Sequence, residues 1–338
     1  MNVSRIGVDL AKTVFQLHGV DRQEHVTLRR QLRRQQMLDF FRKLPPCLVG
    51  MEACSSAHYW ARELGKLGHT VKLMAPQFVK PYVKSNKNDA NDAAAICEAV
   101  SRPSMRFVPI KSTEQQDLQA VHRIRSGLIR QRTAKGNQIR GLLAEYGIVV
   151  PQRLEALRRA LALLLDTTGN NGLSERLCRL LRGEWRDLQE LDRRVAELDR
   201  EIQRIAADAP VARRLQQIPG IGPITATALL AAIGDIGQFR QGRDLAAWLG
   251  LVPRQHSSGG KDCLQGISKR GDSYLRTLLI HGARAVVRTA TGKDDARSDW
   301  IKRLLQRRNK NIAAVAVANK NARIAWALMS KDTDYQPG

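Results

Sequence analysis

Residues 3–20 read VSRIGVDLAKTVFQLHGV and contain two apolar runs on either side of residues 9–12, DLAK. β-Branched and apolar residues dominate both runs, which is typical of buried strands. The pattern predicts a strand, a tight turn and a second strand, with the carboxylate of Asp9 where the first strand turns.

The following stretches alternate between predicted strands and helices. Residues 47–51 (CLVGM) form an apolar run, and residues 70–74 (TVKLM) alternate as a further strand. Helix-favouring residues at 57–67 lie between them and stop at Gly68, a residue typical of helix ends. Because strands that alternate with helices indicate an α/β layer, we expect an α/β N-terminal domain at residues 1–109.

The character of the sequence changes after Pro109. Apolar residues recur at helical spacing over residues 113–146 and 186–205, with arginines between them, and 167–172 reads as a turn. The second run steps by three or four residues, an a/d seam that suits either an intramolecular helical hairpin or an intersubunit coiled coil. We therefore expect a mostly α-helical linker at residues 110–210.

Residues 211–338 are expected to form a C-terminal domain that is largely helical and strongly basic. Helices are predicted at 224–233, near 244–249 and over much of 273–329, from their apolar spacing. Residues 255–266 are predicted to be a polar, glycine-rich loop.

The charge of the chain limits its partners. Its 338 residues include 56 Lys and Arg but only 32 Asp and Glu, a formal net charge of +24. Such an excess destabilises a compact chain by self-repulsion unless a polyanion binds it, so nucleic acid is the first candidate partner. No window approaches 18 consecutive apolar residues, which excludes a membrane-spanning helix. The first ten residues lack the apolar core of a signal peptide, so we expect a cytoplasmic protein.

Four acidic residues are placed where they could share one cation. Asp9 and Glu52 lie at the ends of neighbouring predicted strands, and Asp89 and Asp92 open a helix on one shared face. Singly, Asp89 suits a helix N-cap and Asp92 a first-turn acid. Together, acids at neighbouring strand ends repel one another without a cation, and Mg²⁺ prefers such hard oxygen ligands. The layout is that of an RNase H-like nuclease core.

A turn that precedes an apolar helix is a candidate phosphate site. Residues 218–226 read IPGIGPITA, and the turn around Gly220 and Gly222 leaves backbone N–H groups available at a helix N-terminus. The motif resembles the hairpin of helix–hairpin–helix DNA-binding modules. An ordinary turn that enters an apolar helix is the alternative interpretation.

A serine-containing loop forms a second candidate. Residues 257–261 read SSGGK, and Lys269, Arg270 and Arg276 follow, so Lys261 and these three cations are candidate nucleic-acid contacts. Serine is a poor nucleophile at neutral pH without an activating partner or metal. A glycine-rich surface turn is the simpler interpretation of the composition.

The sequence as a whole resembles the DEDD transposases of the bridge-RNA-guided insertion-sequence family, relatives of the Piv DNA invertase. The likeness covers nearly the whole chain, and its motifs are highly specific when taken together. It implies a RuvC-like N-terminal domain, a helical linker and a C-terminal transposase domain with a nucleophilic serine. The motifs are IGVDLAK (6–12), GMEACSSAHYWA (50–61), KNDANDA (87–93), IPGIGPITA (218–226) and SSGGKDCLQGISKRGDSYLR (257–276).

The resemblance assigns the catalytic residues. The acidic tetrad of the family falls on Asp9, Glu52, Asp89 and Asp92, which would bind Mg²⁺.

The family serine lies in a Ser-Gly dipeptide five residues after a proline. Counting from Pro253 gives Ser258, whereas counting back from Ser268 and Lys269 gives Ser257. We prefer Ser258, because the dipeptide and the forward spacing agree, and Ser257 stays open as an alternative.

The family mechanism assigns further partners. The serine attacks phosphorus and forms a phosphoserine-linked strand, which the free hydroxyl of a second DNA resolves. A non-coding guide RNA pairs with donor and target DNA, and a homo-oligomer of two to four chains assembles each site from two protomers. The protein would act on the bacterial nucleoid.

Two other functions fit parts of the pattern. A structure-specific nuclease, such as a Holliday-junction resolvase, would use the same acids with water as the nucleophile. A non-catalytic basic protein could keep the fold as a scaffold for RNA or DNA. A covalent protein–DNA adduct distinguishes the recombinase from the nuclease, and metal-dependent strand transfer excludes the scaffold.

Overall fold

A computed structural model describes residues 2–84, 88–166 and 172–336. Two compact units divide the chain. The first contains the residues up to Thr113 together with Ile233–Gln238, and the second contains Glu114–Ala232 and the residues from Phe239 onward.

Two sequence features fall in the gaps between the described ranges. Residues 167–171 of the predicted turn and Lys87 of the KNDANDA motif lie outside the described residues. Within those ranges, no helix has the length and apolar character needed to cross a membrane.

The first unit has a mixed α/β fold around one six-stranded sheet. The strand order is β3-β2-β1-β4-β5-β6. Its elements in chain order are β1 (Arg5–Leu10), β2 (Val14–Val20), β3 (Val26–Arg33), α1 (Met37–Arg42), β4 (Leu48–Glu52), α2 (Ala57–Lys66), β5 (Thr70–Met74), α3 (Pro76–Val79), α4 (Asp89–Ala99) and β6 (Phe107–Val108).

The predicted strands of this unit are confirmed. β1 pairs antiparallel with β2, and on its other edge it pairs parallel with β4. The apolar residues of β1 are buried because both faces of the central strands are covered. Ile6, Val8 and Val49 are fully buried in the core of this unit.

The sequence does not predict two strands of the sheet, β3 and the two-residue β6. β3 contains Arg29, Arg30 and Arg33, and only two of its eight side chains, Leu28 and Leu32, are buried. β3 is an edge strand with one partner, so it can carry exposed arginines. These arginines interrupt the apolar alternation by which a strand is recognised in a sequence.

The second unit is mostly helical. Its elements in chain order are α5 (Thr113–Ala144), α6 (Leu154–Asp166), α7 (Glu175–Asp208), α8 (Pro210–Gln216), α9 (Pro223–Ile233), α10 (Gly242–Trp248), β7 (Pro253–Gln255), β8 (Leu264–Ile267), α11 (Ser273–Thr289), α12 (Ala296–Arg307) and α13 (Lys310–Lys331). A mixed α/β N-terminal region followed by a mostly helical C-terminal region therefore agrees with the predicted order.

The two long helices α5 and α7 pair antiparallel within the chain. Three ion pairs between them have N–O distances of 2.5, 3.3 and 2.8 Å. The residue number of the partner on α7 falls as the residue number on α5 rises, which shows that the helices are antiparallel. The seam residues Leu188, Val195 and Ile202 are buried. The three pairs are Arg125–Asp199, Arg132–Asp192 and Lys135–Glu184.

α7 begins 11 residues before the predicted start at 186. The Ser174 side chain accepts a hydrogen bond from the backbone N–H of Leu177 (3.2 Å) and caps the helix there. A serine cap of this kind is a sequence signal for a helix start.

A buried polar network joins α5, α9 and α11. His122 is 3% exposed, and its Nε2 lies 3.0 Å from the Thr227 hydroxyl, while its Nδ1 lies 3.0 Å from the Tyr274 hydroxyl. Since Thr227 donates its own proton to the carbonyl of Pro223 (2.8 Å), His122 is the donor at Nε2 and the acceptor at Nδ1. Burial, followed by the positive charge of Arg125, lowers the pKa of His122 to about 4.

Candidate metal centre and serine hairpin

Two acids lie at the ends of neighbouring strands, as the sequence predicts. Asp9 is the fifth residue of β1 and Glu52 is the last residue of β4. The parallel register pairs Val8 with Met51, so the next residues along the two strands are Asp9 and Glu52. Both acids are partly accessible to solvent.

The helix α4 is held against β1 by a backbone contact. A Cβ atom on Gly7 would lie 2.2 Å from the carbonyl oxygen of Ala93 and 2.3 Å from the backbone nitrogen of Cys97. Only glycine permits this approach, because any side chain at residue 7 would displace the helix. The contact places the first turn of α4 beside the carboxyl end of β1.

The first turn of α4 supplies the other two acids. Asn88 is the N-cap, and its side chain accepts a hydrogen bond from the backbone N–H of Asn91 (2.8 Å). The interpretation of Asp89 as the cap is therefore wrong, because Asn88 already occupies that role. Asp89 and Asp92 both lie in the first helical turn, where negative charge is stabilised by the helix dipole.

Three of the four predicted acids converge. One carboxylate oxygen from each of Asp9, Asp89 and Asp92 lies within 4.8 Å of the others, and Glu52 does not belong to this group. Burial raises the pKa of the Cys54 thiol, and the negative charges of Glu52 and Asp9 raise it further. Since Glu52 and Asp9 each follow a paired residue on neighbouring strands, Glu52 lies beside Asp9 at the edge of the cluster.

The donor set suits a hard divalent cation. Three carboxylates this close repel one another, and a bound cation removes that repulsion. Carboxylate oxygens with space for water are the ligands that Mg²⁺ uses when it binds phosphate substrates. The arrangement can therefore hold a divalent metal, with Glu52 available at its edge.

The predicted loop at 255–266 is only partly correct, because its two ends belong to the strands of a β-hairpin. β7 and β8 pair antiparallel, with Gln255 opposite Leu264. The same register continues to a bridge between Ser258 and Lys261, whose backbone N–H donates to the Ser258 carbonyl (3.1 Å). Gly259 and Gly260 have φ values of +57° and +76°, which is a two-residue turn of the primed type that matches the twist of paired strands.

The hairpin register places the two candidate serines on opposite faces. Side chains alternate between faces along a strand, so Ser257 shares a face with Gln255 and Ser258 shares one with its cross-strand partner Lys261. Both serines are exposed. In the described part of the chain, the Ser258 hydroxyl has no hydrogen-bond partner and is accessible to a substrate.

Ser257 is held by a residue that the sequence analysis missed. Its hydroxyl donates to the Asp262 carboxylate (3.0 Å), and the Gln255 amide donates to Ser257 (2.9 Å) and to Asp262 (3.1 Å). These bonds join the two strands below the turn. A Gly-Gly pair between two polar runs is a hairpin signal, and its register would have paired residues 257 and 262.

The predicted nucleic-acid contacts have different environments. Gly222 is exposed and Gly220 is half-buried in the turn before α9, and Lys269 and Arg270 are exposed. Arg276 is half-buried and donates to the backbone carbonyls of Leu249 and Arg270, both at 3.3 Å. Gly222, Lys269 and Arg270 can face a ligand. Gly220 packs against the backbone of Gly282 in α11, and Arg276 also holds the local backbone.

Two family models match separate parts of this chain. The DEDD transposase model of IS110 elements matches residues 6–148, which include all four acids. A model described as the transposase IS116/IS110/IS902 family matches residues 212–299, which include the serine hairpin.

Full-length relatives carry the same description. A probable family 20 transposase of Pseudomonas aeruginosa is 62% identical over the whole of both chains. The transposase for insertion sequence element IS1111A of Coxiella burnetii is 47% identical over all of this chain and 92% of its own length. The transposase for insertion sequence element IS1328 of Yersinia enterocolitica is 43% identical over 99% of both chains. The chain therefore belongs to the transposases of IS110-family insertion sequences, which are enzymes of DNA recombination.

Proposed function

We propose that this transposase is an RNA-guided DNA recombinase that exchanges strands through a phosphoserine intermediate. The single observation that supports the proposal most strongly is the convergence of the Asp9, Asp89 and Asp92 carboxylates within 4.8 Å. The six-stranded sheet, with acids at the ends of β1 and β4, also fits a RuvC-like domain at residues 1–109, followed by a linker at 110–210 and a transposase domain at 211–338.

The acidic cluster would hold Mg²⁺. Asp9, Asp89 and Asp92 would supply ligands, and Glu52 would complete the tetrad from the neighbouring strand end. A cation bound there would neutralise charge on the phosphate under attack. The acids would fix where that cation is held, and the contact of α4 with β1 positions the acids.

Ser258 would be the nucleophile. Its oxygen forms a bond to phosphorus, the bond from phosphorus to one deoxyribose oxygen breaks, the serine proton passes to solvent, and the released hydroxyl takes up a proton. The free hydroxyl of a second DNA then attacks the same phosphorus and the serine–phosphorus bond breaks, which regenerates the serine. Lys261 lies opposite Ser258 in the hairpin register, so its ammonium group can contact the phosphate that Ser258 attacks.

The net charge of +24 supports binding to several nucleic-acid segments at once. We assign these to donor DNA, target DNA and a guide RNA, with Gly220, Gly222, Lys269, Arg270 and Arg276 among the contacts. The acids and the serine belong to different units of the chain. Within a dimer or tetramer, one site could therefore take its acids from one protomer and its serine from another. The reaction would take place on the nucleoid in the bacterial cytoplasm.

Strand exchange between a donor and a target plasmid tests this function. The full chain, expressed with the DNA that flanks its gene and supplied with Mg²⁺, should join the plasmids at one defined site. Removal of the copurifying RNA or of Mg²⁺ should abolish joining, and an altered guide segment should redirect it. Unchanged joining at the same site by RNA-free protein would refute RNA guidance, and cleavage without any covalent adduct would indicate a nuclease that uses water.

A further inference from the structure

A groove of about 1530 Å³ lies within the second unit, beside the serine hairpin. Its walls come from β8, from the N-terminal end of α10, and from α12 and α13. None of the acids or serines discussed above lines it. The groove therefore is a surface that the proposed chemistry leaves unused.

The groove is strongly positive. Four cations line it and all four are exposed, whereas no acidic residue lines it within the described ranges. None of the four makes an ion pair with another described residue, so their charge is available to a ligand. They are Arg243, Arg308, Lys320 and Arg323.

Apolar and aromatic side chains alternate with these cations. Trp300 lies under the ammonium group of Lys320, 4.8 Å from the ring centre to Nζ. Leu264 and Ile312, which also line the groove, are 67% and 47% exposed. Exposed apolar surface of this kind marks an interaction site.

The combination of cations with an aromatic ring favours unpaired nucleotides. A duplex presents phosphates and sugars on its outside, so it would leave Leu264, Ile312 and Trp300 without apolar partners. Single strands present base faces that stack on aromatic rings while basic residues follow the backbone. An acidic peptide would neutralise the four cations, but it would offer no base to stack on the Trp300 ring.

The position of the groove favours DNA over RNA. Its wall includes Leu264–Ile267, the strand that leads away from the hairpin tip. Gln265 in this strand lies four positions after Lys261, about 13 Å along the chain and on the same face of the hairpin. A strand attacked by the tip serine would pass along this wall, and the strand that a transposase attacks is DNA.

We propose that this groove binds the single-stranded DNA next to the phosphate that is attacked. The choice of DNA rests on the proposed function, whereas the affinity for a single strand rests on the groove itself. Arg308 and Arg323 contact the phosphates, and Trp300 stacks on an unpaired base.

Fluorescence anisotropy with the full chain and a labelled single-stranded DNA tests the proposal. The double variant Arg308→Gln/Arg323→Gln should weaken binding about tenfold or more and lower the salt dependence, d log K/d log[salt], by about 1.4. The matched control Arg176→Gln/Arg179→Gln removes the same charge from exposed positions on α7 and should change the affinity less than threefold. Trp300→Leu should weaken binding about fivefold or more with the salt dependence unchanged.

Three results would overturn the proposal. One is an equal loss in the groove variant and in the control. Another is a loss for duplex DNA as large as the loss for the single strand, and the third is a larger loss for RNA of the same sequence. Because Trp300→Leu could disturb folding, single-stranded DNA with 5-iodouracil should also be crosslinked to the wild-type chain, where the adduct should map to Trp300 and not elsewhere.

The binding test of the groove and the strand-exchange test of the proposed function can fail independently of each other. Asp9→Asn should abolish strand exchange but leave single-strand binding within twofold, because Asp9 lies outside the groove. If strand exchange is absent in the wild type while the groove variant still loses affinity, the proposed function fails and the groove assignment stands.

Discussion

Gly7 lies directly against the backbone of Ala93, so that a Cβ atom on Gly7 would be 2.2 Å from the Ala93 carbonyl oxygen. This contact joins β1 to α4 two residues from Asp9 and one residue from Asp92. The cluster of carboxylates therefore depends on a position that carries no functional group.

We expect Gly7→Ala to disrupt the cluster. The methyl group has no space, so α4 must move away from β1, and the three carboxylates must separate. Thermal unfolding should occur at a lower temperature, with a loss of about 1–3 kcal/mol, and stabilisation by Mn²⁺ should disappear.

Gly65→Ala is the matched control for this substitution. Gly65 lies in α2, and nothing is within 4 Å of a Cβ placed there. Alanine in a helix interior should stabilise the unit by about 0.5–1 kcal/mol and leave Mn²⁺ binding intact. If Gly7→Ala binds Mn²⁺ as the control does, the contact does not position the acids.

Asp92→Asn should have opposite effects with and without metal. Without a divalent cation it removes like-charge repulsion, so the variant should unfold at a slightly higher temperature than the wild type. With Mn²⁺, only the wild type should gain stability, because a ligand that binds the folded state raises the unfolding temperature.

The measurement is a thermal unfolding series against Mn²⁺ concentration. Asp39→Asn serves as the control, since Asp39 is exposed and pairs only with Arg42 on its own helix among the described residues. Equal Mn²⁺ responses in the wild type and in Asp92→Asn would exclude Asp92 from the metal site.

Most of the secondary structure follows from the sequence. β1, β2 and β5 carry the period or the apolar run of buried strands, and their predicted bounds agree with the structure within about two residues. β3 could not be predicted, because its arginines face solvent on an edge strand. The hairpin at 253–267 was missed because polar side chains gave it no apolar alternation, although its Gly-Gly turn was a usable signal.

The candidate site was only partly predictable. Acids at strand ends and at a helix start can be recognised in the sequence, but their convergence depends on how closely α4 approaches β1. That distance is set by Gly7, whose role becomes visible only when the helix is in place. The pairing of Ser257 with Asp262 likewise depends on the hairpin register.

Acid should destabilise the second unit through His122. In the folded state its pKa is lowered to about 4, whereas in the unfolded chain it takes up a proton near its ordinary value of about 6.5. The unfolded state therefore binds more protons between these values. The contribution of His122 to the free energy of unfolding should be fully present above pH 6.5. It should fall by about 3 kcal/mol as the pH drops to 4.

Urea unfolding of the wild type and of His122→Gln across pH 4–7 isolates this contribution. Glutamine can still donate to Thr227 and accept from Tyr274, but it does not titrate. The wild-type stability should decline more steeply with acid than that of the variant. Parallel profiles would mean that His122 titrates normally in the folded chain.

Trapping of covalent protein–DNA adducts tests the phosphoserine mechanism most directly. The wild-type chain, incubated with Mg²⁺, guide RNA and donor DNA and then denatured, should carry DNA on the peptide that contains residues 257 and 258. Ser257→Ala should keep a reduced yield, because it loses only the hydrogen bonds with Asp262 and Gln255 that stiffen the hairpin. Ser258→Ala should yield no adduct while it binds RNA and DNA normally. An adduct in Ser258→Ala together with none in Ser257→Ala would place the nucleophile on the other face of the hairpin and contradict this account.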